Sequence, residues 1–374
     1  MTAQDRVDFL LDELDQVYPD SRKTAIRQRM QDFWAGKMPQ DRFPYAAMEY
    51  GAPCTDFPSD AAPAQRDLIC RLHNLVQHGK RWQDDHYPAL SMDIRQVNLP
   101  SYFGCVEEFA SKSVRVRPEI SDPEDVYNLP RTHFAPGTAG CETLDTLALW
   151  RKMTRGRVSF FEPDMQGPFS TASQVWGVED FLLACYESPE EVQYLIDQSC
   201  DAVLEFTQKM TDAVEGDMLR FHCHPCLWYP IEKGLAVSED LVAVVSPKIS
   251  EQFMVEPLTR IARETGGVCV HTCGSMNHTI PVLCQVPGLM ALNFSSVETN
   301  VAQAMEQKRK DVRLVVHNGL LATPGNVKLS PLEHIRHMGE LSRAHQDPIF
   351  TIFLNFEGDV TPDMDAAYQA CLKV

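Results

Sequence analysis

Residues 268 to 278 read VCVHTCGSMNH. An apolar run stops at His271-Thr272-Cys273-Gly274, which leaves an imidazole and a thiol two positions apart where a strand should end. In a regular strand, positions i and i+2 project to the same face. That is a chelating geometry for zinc, which takes imidazole nitrogen and thiolate sulfur at about 2.0 and 2.3 Å. The same two residues also suit a core histidine and a core cysteine beside a glycine turn. The pair alone does not separate these readings.

Other apolar runs end in the same way. The run at 158–162 leads to Glu162, Asp164 and Gln166, and the run at 217–223 leads to His222, Cys223, His224 and Cys226. Beyond His271 and Cys273, the run at 289–294 ends in Asn293, Ser295, Ser296 and Glu298. The next ends at His317-Asn318, and the last, at 348–356, at Asn355 and Glu357. Six runs closing on acid, amide, imidazole or thiol exceed what a purely structural sheet requires. In a (β/α)8 barrel, the carboxyl ends of the strands are where a site is built.

The elements that would carry these residues become regular from about residue 140, where short apolar strands alternate with helical segments. Strands that are apolar throughout, separated by helices, imply a parallel sheet buried on both faces. One domain of this length favours a closed barrel over an open doubly wound sheet. No GxGxxG follows any strand, which argues against dinucleotide binding. The clearest helix spans 246–265, with Ser246 as N-cap, Pro247 in the first turn and Gly266-Gly267 as the stop. Residues 3 to 36 read as two helices broken at YPDS, with Asp20 or Ser21 capping the second. The stretch 37–66 reads as irregular, a helix follows over roughly 64–79, and 105–120 reads as a hairpin outside the main sheet, turning at Ser111-Lys112-Ser113. The expected organisation is an N-terminal helical extension over 1–45 and a single (β/α)8 barrel over 46–374.

Composition sets limits on partners. The chain has 374 residues and a formal net charge of −18, so it repels phosphate backbones, and nucleic acid is not an expected partner. A small anionic substrate would need arginine or lysine placed in the pocket. No apolar run is long enough for a membrane span, and the N-terminal MTAQDRVDFLLDEL has no signal-peptide pattern. Twelve cysteines without a secretory signal imply the reducing cytoplasm, with thiols serving packing or metal binding.

Three segments carry a resemblance: FEPDMQGPFSTASQVWGVEDFLLACYESPEEVQYLID, KGLAVSEDLVAVVSPKISEQFMVEPLTRIARETGGVCVHTCG and GLMALNFSSVETNVAQA. They resemble the uroporphyrinogen decarboxylase superfamily, whose fold is a (β/α)8 barrel. The similarity covers residues 140–374 and, more loosely, the N-terminal third. Two branches make up that superfamily, the porphyrinogen decarboxylases and the cobamide-dependent methyltransferases. In methylcobamide:coenzyme M methyltransferases, an HxC pair and a distant cysteine near the C-terminus bind zinc. His271 and Cys273 match that branch. The decarboxylases' RQAGRY motif has no counterpart, since QDDHYPALSMDIRQVNLPSY offers only Arg95, so the carboxy-lyase alternative fits less well.

The resemblance thus implies a zinc-dependent methyltransferase moving a methyl group between a corrinoid and a small-molecule thiol or methyl donor. A DxHxxG-type corrinoid motif is absent, so a separate corrinoid carrier protein is the expected partner. Where the family has its distant cysteine, this chain has FLNFEGDVTPDMDAAY. Glu357 lies closest to that position and is an acceptable zinc ligand. Cys223 and His222 are the alternatives for completing the set. Asp164, Asn293 and Glu298 are candidates for orienting substrate or bracing the ligands. A barrel that only binds a ligand, or closes a four-ligand structural zinc site, is the non-enzymatic alternative.

Overall fold

The computed structural model describes residues 1–40, 42–49, 54–55, 57–92, 97–110, 113–219, 227–229, 234–319 and 329–355. Eleven strands are present among them: β1 Tyr45–Glu49, β2 Ala89–Leu90, β3 Glu107–Ala110, β4 Ser113–Val116, β5 Ser159–Phe161, β6 Met218–Leu219, β7 Leu235–Ser238, β8 Val268–His271, β9 Leu289–Ser295, β10 Arg313–His317 and β11 Ile349–Asn355. The helices are α1 Ala3–Val17, α2 Asp20–Trp34, α3 Pro63–Arg81, α4 Ala139–Thr154, α5 Pro168–Trp176, α6 Val178–Glu187, α7 Pro189–Ala213, α8 Pro247–Phe253, α9 Val255–Thr265, α10 Ile280–Leu283, α11 Val301–Gln307 and α12 Pro331–His345.

Six strands pair in the order β1-β11-β10-β9-β8-β7, and three more in the order β2-β5-β6. Every pairing within these two sheets is parallel. A parallel bridge between Gln166 and Ser238 joins the segment after β5 to β7. The result is a mixed α/β architecture compatible with a TIM-barrel-like fold. The β3–β4 hairpin forms its own antiparallel sheet, as its alternating sequence implies.

The strands are short and rich in branched apolar residues, and β7, β8 and β10 are buried at every position. Burial on both faces is what helices on the outside and packed side chains on the inside impose. The N-terminal helices belong to the same apolar core. In α1, Val7, Leu10, Leu11 and Leu14 are buried at helical spacing and join one cluster with Leu68, Leu72 and Val76 of α3. Arg157 pairs with Asp12 and Asp15 of α1, fastening that helix to the turn before β5.

Three local expectations change. Residues 45–49 form a strand inside the stretch read as irregular, because Tyr45-Ala-Ala-Met-Glu finds a partner in β11. The helix expected over 246–265 divides at Met254 into α8 and α9. Pro257 lacks the N–H that would bond to the Phe253 carbonyl, and its ring crowds that carbonyl. Ser246 caps α8 through Ile249, and Gly266 closes α9 in the left-handed region, both as read. At the start of α2 the capping position falls on Pro19, and Asp20 lies in the first turn.

Candidate metal centre

Register brings the site together. Ser238 of β7 lies beside His271 of β8, His271 beside Asn293 of β9, and Asn293 beside Val315 of β10. Side chains in register on parallel strands share a face, so Ser238, His271 and Asn293 form one row at the carboxyl end of the sheet. Ser295 and His317 form the next row.

His271 is the hub. Its Nδ1 lies 2.6 Å from Asn293 Oδ1, while Asn293 Nδ2 donates to the Val315 carbonyl at 2.8 Å. The second bond fixes the amide's orientation, so Oδ1 is the acceptor and His271 carries its proton on Nδ1. The Nε2 lone pair then faces Cys273, whose Sγ is 3.3 Å away. Both His271 and Asn293 are buried, and the His317 ring stacks 6.3 Å from that of His271.

Asp240 supplies a third donor. The carboxylate, the His271 imidazole and the Cys273 sulfur offer ligand atoms within 4.8 Å of one another, the one such group found among the described residues. Two donors bonded to one tetrahedral zinc at about 2.0 and 2.3 Å stand roughly 3.5 Å apart, close to the separation of Nε2 and Sγ. Asp240 Oδ1 also accepts the Cys273 N–H at 2.8 Å, which holds the loop after β8 in place. The donor set of nitrogen, sulfur and oxygen, with a neutral histidine oriented by an amide, fits zinc chemistry.

Two further carboxylates stand close by. Glu298 accepts the Gly274 N–H at 3.1 Å, and Asp164 accepts the Ser238 hydroxyl. Loss of hydration around the sulfur pushes the Cys273 thiol up to about 12, and the negative charges of Asp240, Glu298 and Asp164 add to the effect. Gly274 has φ +128, and a Cβ there would come within 2.6 Å of Ala243 Cβ, so the turn after Cys273 requires glycine.

Glu239, next to Asp240, serves the scaffold. Its carboxylate accepts the N–H groups of Phe169 and Ser170 at 3.1 and 2.8 Å, capping the N-terminus of α5. Gly167 makes room for it, since a Cβ there would lie 2.1 Å from Oε1. Burial pushes the Glu239 carboxyl up to about 7, against the lowering effect of those two donors.

Of the residues singled out in the sequence, His271, Cys273, Asn293, Glu298 and Asp164 converge here. Ser296 points elsewhere, its hydroxyl 3.2 Å from His334 of α12. Glu357, Cys223 and His222 lie outside the described residues. Sequence reasoning missed Asp240. The signal was present in LAVSED, a run of three apolar residues after Gly234 followed by a serine and two acids, but so short a run carries little periodicity.

No family model matches the chain, and none of the curated proteins searched is similar to it in sequence. Among solved structures, it is similar to a methyltransferase from Methanosarcina mazei, with a TM-score of 0.62 and 16% identity. The match covers 93% of this chain and 98% of that one. At this identity the likeness is one of fold. Among the described residues, no helix is long and apolar enough to cross a membrane.

Proposed function

We propose that the chain is a zinc-dependent methyltransferase that moves a methyl group between a corrinoid, held on a separate carrier protein, and a small-molecule thiol or methyl donor. On this reading the parallel strands close into a (β/α)8 barrel over 46–374, with residues 1–45 as its helical extension, and the chain works in the cytoplasm. The observation that carries the proposal is the His271–Cys273–Asp240 triad at the strand ends, with Asn293 orienting the histidine. The fold likeness to a methyltransferase supports it.

His271 Nε2, Cys273 Sγ and the Asp240 carboxylate would hold the ion and leave one position open. When bound there, zinc lowers the pKa of a thiol from its usual value of about 8.5 and presents the sulfur as a nucleophile. The chain's own residues do the rest. Asn293 keeps the Nδ1–H tautomer, Asp240 holds the Cys273 backbone, and Glu298 fixes the turn at Gly274. The decarboxylase alternative needs cations for substrate carboxylates. The described segments 162–167, 238–246, 271–279, 295–300 and 317–319 contain no lysine or arginine.

Metal analysis tests the proposal. The purified protein should hold about one zinc per chain, and His271→Ala, Cys273→Ala and Asp240→Ala should each lower that sharply. Glu357→Gln, measured beside Asp240→Asn, decides whether the last-strand carboxylate also ligates. Unchanged zinc content in the His271 and Cys273 variants would overturn the reading.

A further inference from the structure

Cys70 stands on α3 beside Cys54, which lies 16 positions earlier in the chain linking β1 to that helix. The Cys70 Sγ donates to the Cys54 carbonyl at 3.9 Å, and the Cys54 thiol is its side-chain neighbour. Several contacts build this arrangement. Residues 57–62 fold back along the first turns of α3. The Phe57 ring receives the Arg66 guanidinium at 5.8 Å, and the Ala61 carbonyl accepts Arg66 Nε–H at 2.8 Å. Arg66 and Cys70 are four residues apart, so they share one face of the helix. Cys54 and Phe57 lie over that face, packed against the main apolar cluster.

Both thiols are half-buried, whereas Cys105, Cys185, Cys200, Cys269 and Cys284 are buried. A small reagent can therefore reach the pair. Burial, reinforced by the Cys54 sulfur, pushes the Cys70 thiol up to about 11. Cys70 thus keeps its proton near neutral pH while a charge can form on its neighbour.

We propose that Cys54 and Cys70 are a redox-active pair that closes to a reversible disulfide by exchange with a low-molecular-weight disulfide such as glutathione disulfide. The Cys54 thiolate attacks one sulfur of glutathione disulfide and expels a glutathione thiolate. Capping removes the Cys54 charge that opposed ionisation of Cys70. The Cys70 sulfur then gives up its proton, attacks Cys54 Sγ and expels the second glutathione. Two protein thiols are oxidised to one disulfide, and glutathione disulfide is reduced to two glutathiones, which take the two protons. The bond ties the chain leaving β1 to α3. Because β1 lies in the same parallel sheet as β8, that chain departs from the end of the sheet that carries His271. In a reducing compartment a bond of this kind is transient and forms under oxidising conditions. The inference is independent of the zinc and methyl-transfer reading.

The test uses the full chain, with its metal content measured beforehand. Native protein is equilibrated in glutathione buffers of fixed oxidised-to-reduced ratio, quenched with acid, alkylated, digested and mapped by mass spectrometry. A peptide pair joined through Cys54 and Cys70 should appear, and dithiothreitol should remove it. At one buffer ratio, the linked-to-reduced ratio should be at least about tenfold higher in the native protein than in the same chain in urea, because folding holds the two sulfurs together. Cys70→Ser should stop at the glutathione mixed disulfide on Cys54, the first step without the second.

Absence of the joined peptides, a bond from either residue to a different cysteine in the native protein, or a native-to-urea gain below that factor would overturn the inference. A Cys70→Ser protein whose Cys54 stays unmodified would do the same.

Discussion

At the residue scale, Asn293 does more than fill a buried position. Each end of its amide has one partner, Oδ1 toward His271 Nδ1 at 2.6 Å and Nδ2 toward the Val315 carbonyl at 2.8 Å, so a flipped amide would lose both bonds. Partners of this kind, behind a metal-ligating histidine, typically change affinity by about 10- to 100-fold when removed. Asn293→Leu, similar in volume, should therefore weaken zinc binding by that factor while the protein stays folded. Asn293→Asp keeps an acceptor for Nδ1–H and should bind zinc much closer to the parent. Competition with a chromophoric chelator measures both. Equal zinc affinity in Asn293→Leu and the parent would remove the residue from the site.

At the element scale, a buried carboxylate ties the N-terminal helices to the first strand. Asp85, between α3 and β2, receives Arg42 through two bonds of 2.7 Å, Arg29 Nε at 2.6 Å and the Tyr45 N–H at 3.2 Å. One side chain thus fixes α2, the start of β1 and the link into β2. Removing a partner from a buried pair leaves an uncompensated charge and costs about 3–5 kcal/mol. Asp85→Ala should lower the free energy of urea unfolding by that order. Arg29→Ala should cost less, because the Arg29 side chain is partly solvated and Asp85 keeps Arg42. A loss below about 1 kcal/mol in Asp85→Ala would contradict the assignment. The strand this brace secures is the one hidden in a stretch rich in proline, glycine and aspartate, where composition masks a five-residue pairing with β11.

For the whole molecule, buried neutral histidines set an acid limit. Burial, reinforced by His78, lowers the His86 pKa to about 3, and burial lowers that of His334 to about 4. In the unfolded chain both titrate near 6.5. Below that pH the unfolded state binds more protons than the folded one, so stability falls as pH drops from about 6.5 toward 4 and 3. Each histidine contributes at most about 1.4 kcal/mol per pH unit. Above 6.5 their contribution is constant. The share of the urea midpoint set by these two histidines should thus be nearly constant from pH 7 to 8 and decline from pH 6 to 5, where their combined loss exceeds the opposing gain from protonated Glu239. Among the described residues the two buried His86 ring nitrogens have no hydrogen-bond partner, so His86→Leu should cost little at pH 7.5 and make the decline shallower. An unaltered slope in that variant would show that His86 does not contribute.

The sequence by itself determined what depends on neighbours a few positions apart. It gave the strand–helix alternation after residue 140, the β3–β4 hairpin, the Ser246 cap, the Gly266 stop and the same-face pairing of His271 with Cys273. These follow from periods of two and 3.6 and from capping chemistry, which are written locally. Only the tertiary structure decided which distant residues meet. Asp240 reaches Cys273 across 33 positions, and His271 reaches Asn293 across 22, because β7, β8 and β9 lie side by side in one register. A slip of one residue in either pairing would turn the facing side chains to the other side of the sheet. That register is held by packing on both faces of the strands, and no short stretch of sequence contains it.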